Sequence, residues 1–153
     1  LEEIKSTWMD MARDKYTNKV PLKPGAREFL VWLRQQGIRT GIASSNGIEL
    51  VETVLKAQGI QEYLESVHTC CEVPKGKPAP DIYLLVAETL GVKPEECLVF
   101  EDVPMGILAG KNAGMRVCAV EDTFSAAQRE EKKELADYYI ESYDEIPRER
   151  MQP

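Results

Sequence analysis

The sequence contains few of the residues from which several common kinds of site are built. Its 153 residues include one histidine, His68, and no two cysteines in the spacing Cys-x-x-Cys. Because structural zinc sites need closely spaced Cys and His ligands, a zinc domain of that type is excluded. The four cysteines lie in apolar runs, and we expect them to be reduced core thiols of a cytoplasmic protein. They are Cys70, Cys71, Cys97 and Cys118.

Long apolar runs and clusters of basic residues are absent as well. No apolar stretch approaches the roughly 20 residues that a membrane-spanning helix needs. Residues 1–4 lead directly into a charged helical pattern, so no signal peptide is expected. The net charge is −7 and the pI is about 4.9. Since binding to nucleic acid draws its affinity from clustered Lys and Arg, we expect neither a nucleic acid nor a membrane as a partner.

Strand and helix patterns alternate along the rest of the chain. With 43% apolar and 29% charged residues, the composition is that of a globular protein, and the length fits one domain. The alternation predicts an α/β fold with a mostly parallel sheet and helices on both faces. Residues 1–18 have the pattern of an amphipathic helix. The other predicted helices are residues 24–36, a helix from the turn at 44–47 to residue 58, and residues 81–90, 105–113 and 125–135. The predicted strands are residues 38–43, 67–71, 97–100, 116–120 and 138–140.

Small polar residues follow the predicted strand 38–43 and form the first candidate site. Ser44, Ser45 and Asn46 stand there, directly before a helix. The backbone N–H groups at the start of a helix attract anions, and the serine hydroxyls add donors, so this segment can bind a phosphate. Because Ser and Asn are also favoured residues at a helix N-terminus, a purely structural role is the alternative.

A proline-rich loop at residues 74–80 forms the second candidate site. It presents Lys75 and Lys77 between three prolines and Gly76. Prolines stiffen a loop, and a rigidly presented lysine is a good point-charge partner for a phosphate. The alternative is a solvated turn that carries two surface lysines.

Two adjacent carboxylates form the third candidate site. Glu101 and Asp102 come directly after the apolar strand 97–100. Like charges so close repel each other unless a cation lies between them. Mg²⁺, which is held by one or two carboxylates together with phosphate oxygens of a substrate, would relieve that repulsion. The alternative is a helix N-terminus at which acidic residues favourably oppose the helix dipole.

The three segments follow successive strands in order. Chemistry in parallel sheets is concentrated at the carboxyl ends of the strands, so the three segments are expected to meet there. Together they supply hydroxyl and amide donors, a cation and a metal-binding pair. These are the groups that phosphoryl transfer requires.

Taken together, the segments resemble the second, third and fourth motifs of the haloacid dehalogenase superfamily. The resemblance covers residues 20–146, and the run KPAPDIY is most similar to the β-phosphoglucomutase-like branch. It rests on Ala43-Ser44-Ser45-Asn46, on Lys77-Pro78-Ala79-Pro80-Asp81, and on Glu101-Asp102 with Gly106, Ala109, Ala113 and Gly114. It implies a three-layer Rossmann-like core over residues 19–153. Residues 1–18 would then be the last helix of a helical cap domain.

The resemblance also implies an activity and a role for each matching residue. The complete protein would be a Mg²⁺-dependent phosphatase or phosphomutase acting on a small phosphorylated metabolite. Ser44 would bind the transferring phosphoryl group, assisted by Asn46 and the amide of Ser45. Lys77 would neutralise charge on the nucleophile and the phosphate. Glu101 and Asp102 would hold Mg²⁺, with Asp102 as the more direct ligand.

The first motif of the family, Asp-x-Asp at the end of the first strand, has no counterpart here. None of the seven aspartates has a second one two residues away. The resemblance therefore implies that the nucleophile, the first strand and most of the cap lie in an N-terminal segment of the same protein outside this chain. That strand would separate strands 38–43 and 97–100, and the 153 residues alone would be inactive. A smaller departure is Val103, which stands where relatives often have Ser.

The missing motif leaves a second class of function open. The chain would then be a non-catalytic phosphate-binding or regulatory module that retains the site without the nucleophile. A response-regulator receiver also pairs a hydroxyl with Lys-Pro, but it needs an acidic pair after its first strand and a phosphoacceptor Asp in mid-chain, and neither is present. The choice between phosphatase and mutase, and the substrate, depend on cap residues and stay open.

Overall fold

The computed structural model describes residues 21–148 together with Thr7, Asp10, Met11 and Asp14. Those four residues are helical and exposed. The rest of the helix predicted over residues 1–18 lies outside the described residues. No helix in the described part of the chain is both long and apolar enough to cross a membrane.

Strands and helices alternate through residues 26–140, which confirms the predicted α/β class. The helices are α1 (Ala26–Gln35), α2 (Ile48–Gln58), α3 (Asp81–Leu90), α4 (Pro104–Asn112) and α5 (Arg129–Leu135). The strands are β1 (Gly41–Ser44), β2 (Ser66–Thr69), β3 (Leu98–Glu101), β4 (Arg116–Val120) and β5 (Tyr138–Ile140). Short 3₁₀ turns lie at Gln61–Tyr63, Cys70–Glu72, Pro94–Glu96, Thr123–Gln128 and Tyr143–Glu145.

The five strands form two separate parallel sheets rather than one. β1 pairs with β2 from Gly41 opposite Ser66 to Ser44 opposite Thr69. β3, β4 and β5 form the second sheet in that order. Within residues 21–148, no strand pairing joins β1 to β3. The sequence-based expectation that these two strands are not direct neighbours is therefore confirmed.

Apolar residues at helical spacing attach the helices to both sheets. On α3 the buried residues Ile82, Val86 and Leu90 recur every four positions, and the helix packs against β1 and β2. α4 packs against β3 and β4. Its Gly110 permits a close approach, because a Cβ there would lie 2.7 Å from a methyl carbon of Val117. The largest core cluster includes Val99 of β3 and Val117 of β4. A second cluster contains Val51 and Leu55 of α2, and a third contains Cys118, Val120 and Ile140.

Aromatic rings connect α1 to the second sheet. The ring of Phe29 on α1 lies edge-on to Phe100 of β3, with the centroids 5.5 Å apart. Both rings also contact Tyr143, at 5.6 and 5.3 Å. Edge-to-face aromatic pairs stabilise beyond the area that they bury. This cluster fixes α1 beside the space between β1 and β3.

Several predicted boundaries differ from the structure, including the strand predicted over residues 38–43, which is Gly41–Ser44. Two further differences have local reasons. The strand predicted over residues 67–71 ends at Thr69. The backbone N–H of Thr69 donates to Oε2 of Glu72 over 2.6 Å, and the chain continues as a 3₁₀ helix from Cys70. The helix predicted over residues 125–135 is a true α-helix only from Arg129 onward, since Ser125 has non-helical dihedral angles.

Candidate active site

A large cavity lies between the unpaired edges of β1 and β3, and we call it the central cavity. Its volume is about 1210 Å³. α1 lines it with Phe29 and Leu33, and α3 lines it with Tyr83, Val86 and Leu90. At the carboxyl ends of the strands its rim is polar. That rim contains Lys23, Ser44, Ser45, Lys77, Glu101 and Asp102.

Lys77 points into this rim from the loop after β2. Its ammonium donates to the backbone carbonyl of Ala43 at the end of β1, over 3.1 Å. It also donates to Oε1 of Glu101 at the end of β3. The side chain is only 11% exposed, so the alternative of a solvated surface lysine does not hold. Lys77 thus connects the two strand edges that face each other across the central cavity.

Glu101 is the most enclosed acid of the candidate site. Its side chain is 9% exposed and accepts hydrogen bonds from Lys77 and from the hydroxyl of Tyr83. The carboxyl group lies against Gly106 in the first turn of α4, and a Cβ added there would overlap it. Gly106 therefore leaves the room that the Glu101 carboxylate occupies.

Tyr83 is a site residue that the sequence analysis did not single out. Burial and the neighbouring Glu101 carboxylate raise the pKa of its hydroxyl far above the usual range, so the hydroxyl stays protonated and donates a hydrogen bond to Glu101. Its ring also lies 4.9 Å from the Lys77 ammonium. The sequence did hold an indication that Tyr83 belongs to the site, because Tyr83 falls within the run KPAPDIY. A buried tyrosine normally needs a partner for its hydroxyl.

Asp102 is more open than Glu101, with 39% of its side chain exposed. Lys23, in the segment before α1, lies 3.6 Å from its Oδ2. The same ammonium binds Asp122 after β4 at 2.5 Å. That hydrogen bond lowers the pKa of Asp122. The sequence pattern did not identify Lys23, because it is separated from both acids by more than 70 residues.

The serines predicted to bind phosphate end β1 at the same rim. Ser44 and Ser45 both line the central cavity. The N–H of Asn46 donates to the hydroxyl of Ser44 over 3.1 Å, and the thiol of Cys70 lies 3.7 Å from the hydroxyl of Ser45. Asn46 is exposed and does not line the cavity. The structure therefore brings together all the predicted site residues except the side chain of Asn46.

The carboxylates at this rim are the type of ligand that a hard divalent cation prefers. Among the described residues there is no group of three or more Asp, Glu, His or Cys that could hold a metal. Mg²⁺ does not require such a group, because it keeps several waters and is typically bound by one or two carboxylates plus phosphate oxygens. Asp102, with its exposed carboxylate, and Glu101 beside it meet that requirement.

Residues 3–114 match the family described as haloacid dehalogenase-like hydrolase. Because the match spans most of the chain, the protein belongs to this family of hydrolases. The resemblance inferred from the three motifs is confirmed.

Individual relatives are similar over most of this chain. Hexitol phosphatase B of Escherichia coli K12 is 33% identical over 126 residues, which are 82% of this chain and 56% of that protein. The structure of CbbY from Rhodobacter sphaeroides with xylulose-(1,5)bisphosphate is 29% identical with a TM-score of 0.75, over 82% of this chain and 56% of that one. β-Phosphoglucomutase from Clostridium difficile shares the fold, with a TM-score of 0.77 at 24% identity over 99% of this chain and 63% of that one.

The chain spans about half the length of the curated relatives that it matches. Three of them are covered to 44%, 57% and 56% of their own length. The relatives therefore contain segments to which nothing in these 153 residues corresponds.

Proposed function

We propose that the complete protein is a Mg²⁺-dependent phosphatase or phosphomutase of small phosphorylated metabolites, and that this chain supplies most of its catalytic core. The observation that carries the proposal is the convergence of Lys77, Glu101, Asp102 and Ser44 on one rim of the central cavity. Hydroxyl donors, a fixed ammonium and two carboxylates are thereby placed around a space of molecular size.

The central cavity is best explained as the place of a β-strand from another segment of the same protein. Protein interiors are close-packed, whereas here an open space of about 1210 Å³ lies between the residues of β1 and β3 and is lined mostly by apolar side chains. Unpaired N–H and C=O groups on facing strand edges need partners when buried. A parallel strand between β1 and β3 would satisfy both edges and fill the apolar space.

Such a strand would deliver its last residues to the polar rim. We propose that it carries the Asp-x-Asp motif, and that its first carboxylate attacks the phosphorus of the substrate. The attack forms an aspartyl-phosphate as the P–O bond to the substrate breaks, and the second Asp of the motif would protonate the leaving oxygen. Water, or a hydroxyl of a second substrate molecule in a mutase, then takes the phosphoryl group. This placement requires the nucleophile to lie beside Lys77, which already bridges the two strand edges.

The residues of this chain would act on the charge of the phosphoryl group. Lys77 is preorganised by Glu101 and Ala43, so it loses little further freedom when it binds a phosphate oxygen. Ser44 and the N–H groups after β1 would hold the other oxygens. Asp102 and Glu101 would hold Mg²⁺, which supplies neutralisation of phosphate charge.

Two of the relatives point to a phosphorylated sugar or sugar alcohol as one candidate class of substrate. One is named hexitol phosphatase B, and another has been solved with xylulose-(1,5)bisphosphate. Sugars and sugar alcohols are small polyols, and their recognition would fall to a cap, to which residues 1–18 would contribute the last helix.

Turnover of an aryl phosphate by the protein expressed from its complete gene tests the proposal. We expect hydrolysis that depends on Mg²⁺ and is lost in Asp102→Asn. Lys111→Met on α4 is the matched control. It should retain activity, because Lys111 is exposed and pairs with Asp137, and neither residue lines the central cavity. Phosphate binding without any turnover would instead favour the non-catalytic module.

A further inference from the structure

Lys132 is a fully buried lysine that the proposed chemistry does not use. It lies on α5 and its exposed fraction is 0%. A buried ammonium is costly unless its three N–H groups are all hydrogen-bonded. Here each of them has an acceptor: the carbonyl oxygens of Asp102 and Val120, both at 3.2 Å, and the hydroxyl of Ser125 at 2.9 Å.

The carbonyl of Asp102 receives a second hydrogen bond from the same cluster. The hydroxyl of Ser125 donates to it over 2.6 Å. Lys132 and Ser125, together with the carbonyl that both of them bind, form a closed triangle of contacts. Two side chains from the segment after β4 therefore hold one backbone oxygen at the end of β3.

This anchor is located where the sheet itself stops supporting the chain. The pairing of β3 with β4 ends at Glu101 opposite Ala119. Asp102 is the next residue, and α4 begins at Pro104. The ammonium of Lys132 spans the ends of both strands, because Val120 is the last residue of β4. Lys132 thus links the residue after β3 to the last residue of β4, one position beyond the last backbone pairing between the two strands.

We propose that Lys132 and Ser125 are positioning residues that fix the backbone of Asp102, so that its carboxylate is held in the orientation that binds the divalent cation. The inference rests on the proposed function, because it takes Asp102 as a metal ligand. Groups that orient a metal ligand from behind commonly change metal affinity by 10–100-fold when they are removed. Lys132 binds only the carbonyl of Asp102, whereas the carboxylate lies at the cavity rim, where Lys23 is 3.6 Å from its Oδ2.

The test measures metal affinity directly, without turnover. Mn²⁺ replaces Mg²⁺, and its binding to the protein expressed from its complete gene is followed by water-proton relaxation in the absence of substrate. We expect Lys132→Met to weaken Mn²⁺ binding by roughly 10–100-fold. Ser125→Ala, which removes one hydrogen bond to the same carbonyl, should weaken it by a smaller factor. Lys133→Met is the control, because Lys133 is exposed on the same helix and pairs with Glu130.

A purely structural role predicts a different pattern. It would lower the midpoint of thermal unfolding in Lys132→Met and leave Mn²⁺ affinity at the wild-type value in the folded protein, and that result overturns the proposal. Wild-type affinity in folded Ser125→Ala overturns it too, even where Lys132→Met does not fold. A wild-type Mn²⁺ signal that is insensitive to Asp102→Asn overturns the metal site and this inference together. Aryl phosphate turnover then shows separately whether the proposed activity stands.

Discussion

Lys77 is held by two oxygens of different charge, the carboxylate of Glu101 and the backbone carbonyl of Ala43. A lysine in a solvated turn would be worth at most about 1 kcal/mol to folding. With 11% and 9% of their side chains exposed, Lys77 and Glu101 instead form an enclosed pair. Removing one partner of a buried pair leaves the other uncompensated, which costs roughly 3–5 kcal/mol. The effects of a Lys77 substitution on stability and on activity therefore have to be measured separately.

Replacing Lys77 by Met should lower kcat about 100–1000-fold, because one preorganised donor to transition-state charge contributes on the order of 3–4 kcal/mol. The measurement is aryl phosphate turnover at saturating substrate, alongside urea unfolding, in the complete protein. The double variant Lys77→Met with Glu101→Gln should recover much of the lost stability and none of the activity.

Lys75→Met is the control for the Lys77 variant. Lys75 lies two residues earlier in the same loop and is exposed. We expect its turnover to match that of the wild type. A Lys77→Met protein that retained wild-type kcat would remove Lys77 from the mechanism.

The expectation that all four cysteines are core thiols is wrong, because Cys118 is buried whereas Cys71 is exposed. Burial, with a smaller effect of Glu145, raises the pKa of Cys118 to about 11. At pH 8 only about one Cys118 thiol in a thousand is then the reactive thiolate. We expect iodoacetamide to modify exposed Cys71 within minutes to hours and to leave Cys118 unmodified until urea unfolds the protein, as read by peptide mass spectrometry. Equal rates at both positions would contradict the buried placement of β4.

At the scale of elements, the junction between β3 and α4 carries the most closely fitted part of the site. Glu101 ends the strand, Asp102 begins the turn, and Gly106 lies in the first turn of the helix. The Glu101 carboxylate occupies the volume that a side chain at Gly106 would need. Strand, turn and helix are therefore spatially interdependent.

Gly106→Ala should displace the Glu101 carboxylate and break its contacts with Lys77 and Tyr83. We expect a loss of activity of at least 10-fold together with a stability loss of about 1–3 kcal/mol, the usual cost of overpacking. Turnover and urea unfolding of the complete protein measure both quantities. Gly76→Ala is the matched control, because the atom nearest to a Cβ there is the Cys70 sulfur at 4.0 Å. A Gly106→Ala protein equal to the wild type would mean that Glu101 has another position available.

The helices and strands could be predicted because each shows its own periodicity. α3 and β4 match the predicted bounds because a glycine or a polar residue ends each apolar pattern. The positions of Asp102 and Lys77 could be predicted from the rule that functional polar residues in parallel sheets lie at the carboxyl ends of the strands. The contacts of Lys23 and Lys132 with Asp102 could not be predicted, because they join residues 30 or more positions apart and isolated lysines carry no periodic signal.

At the scale of the whole molecule, the two sheets face each other across the central cavity and are joined mainly by helices and side chains. α3 lies against the first sheet and α4 against the second, and Lys77 bridges β1 and β3 at the rim. An apolar cavity of about 1210 Å³ in the middle of the molecule exposes core surface to water. The proposed inserted strand is therefore expected to stabilise the fold as well as to supply the nucleophile.

The most direct measurement of the central claim is phosphatase activity of the purified 153-residue chain, alone and after addition of a segment that contains the proposed strand. The chain alone should hydrolyse aryl phosphate no faster than buffer. Addition of the segment should restore Mg²⁺-dependent turnover. A segment whose first motif Asp is replaced by Asn should raise the thermal midpoint of the chain by a similar amount without restoring turnover. Activity from the chain alone, abolished by Lys77→Met, would place the nucleophile among these 153 residues and contradict the account.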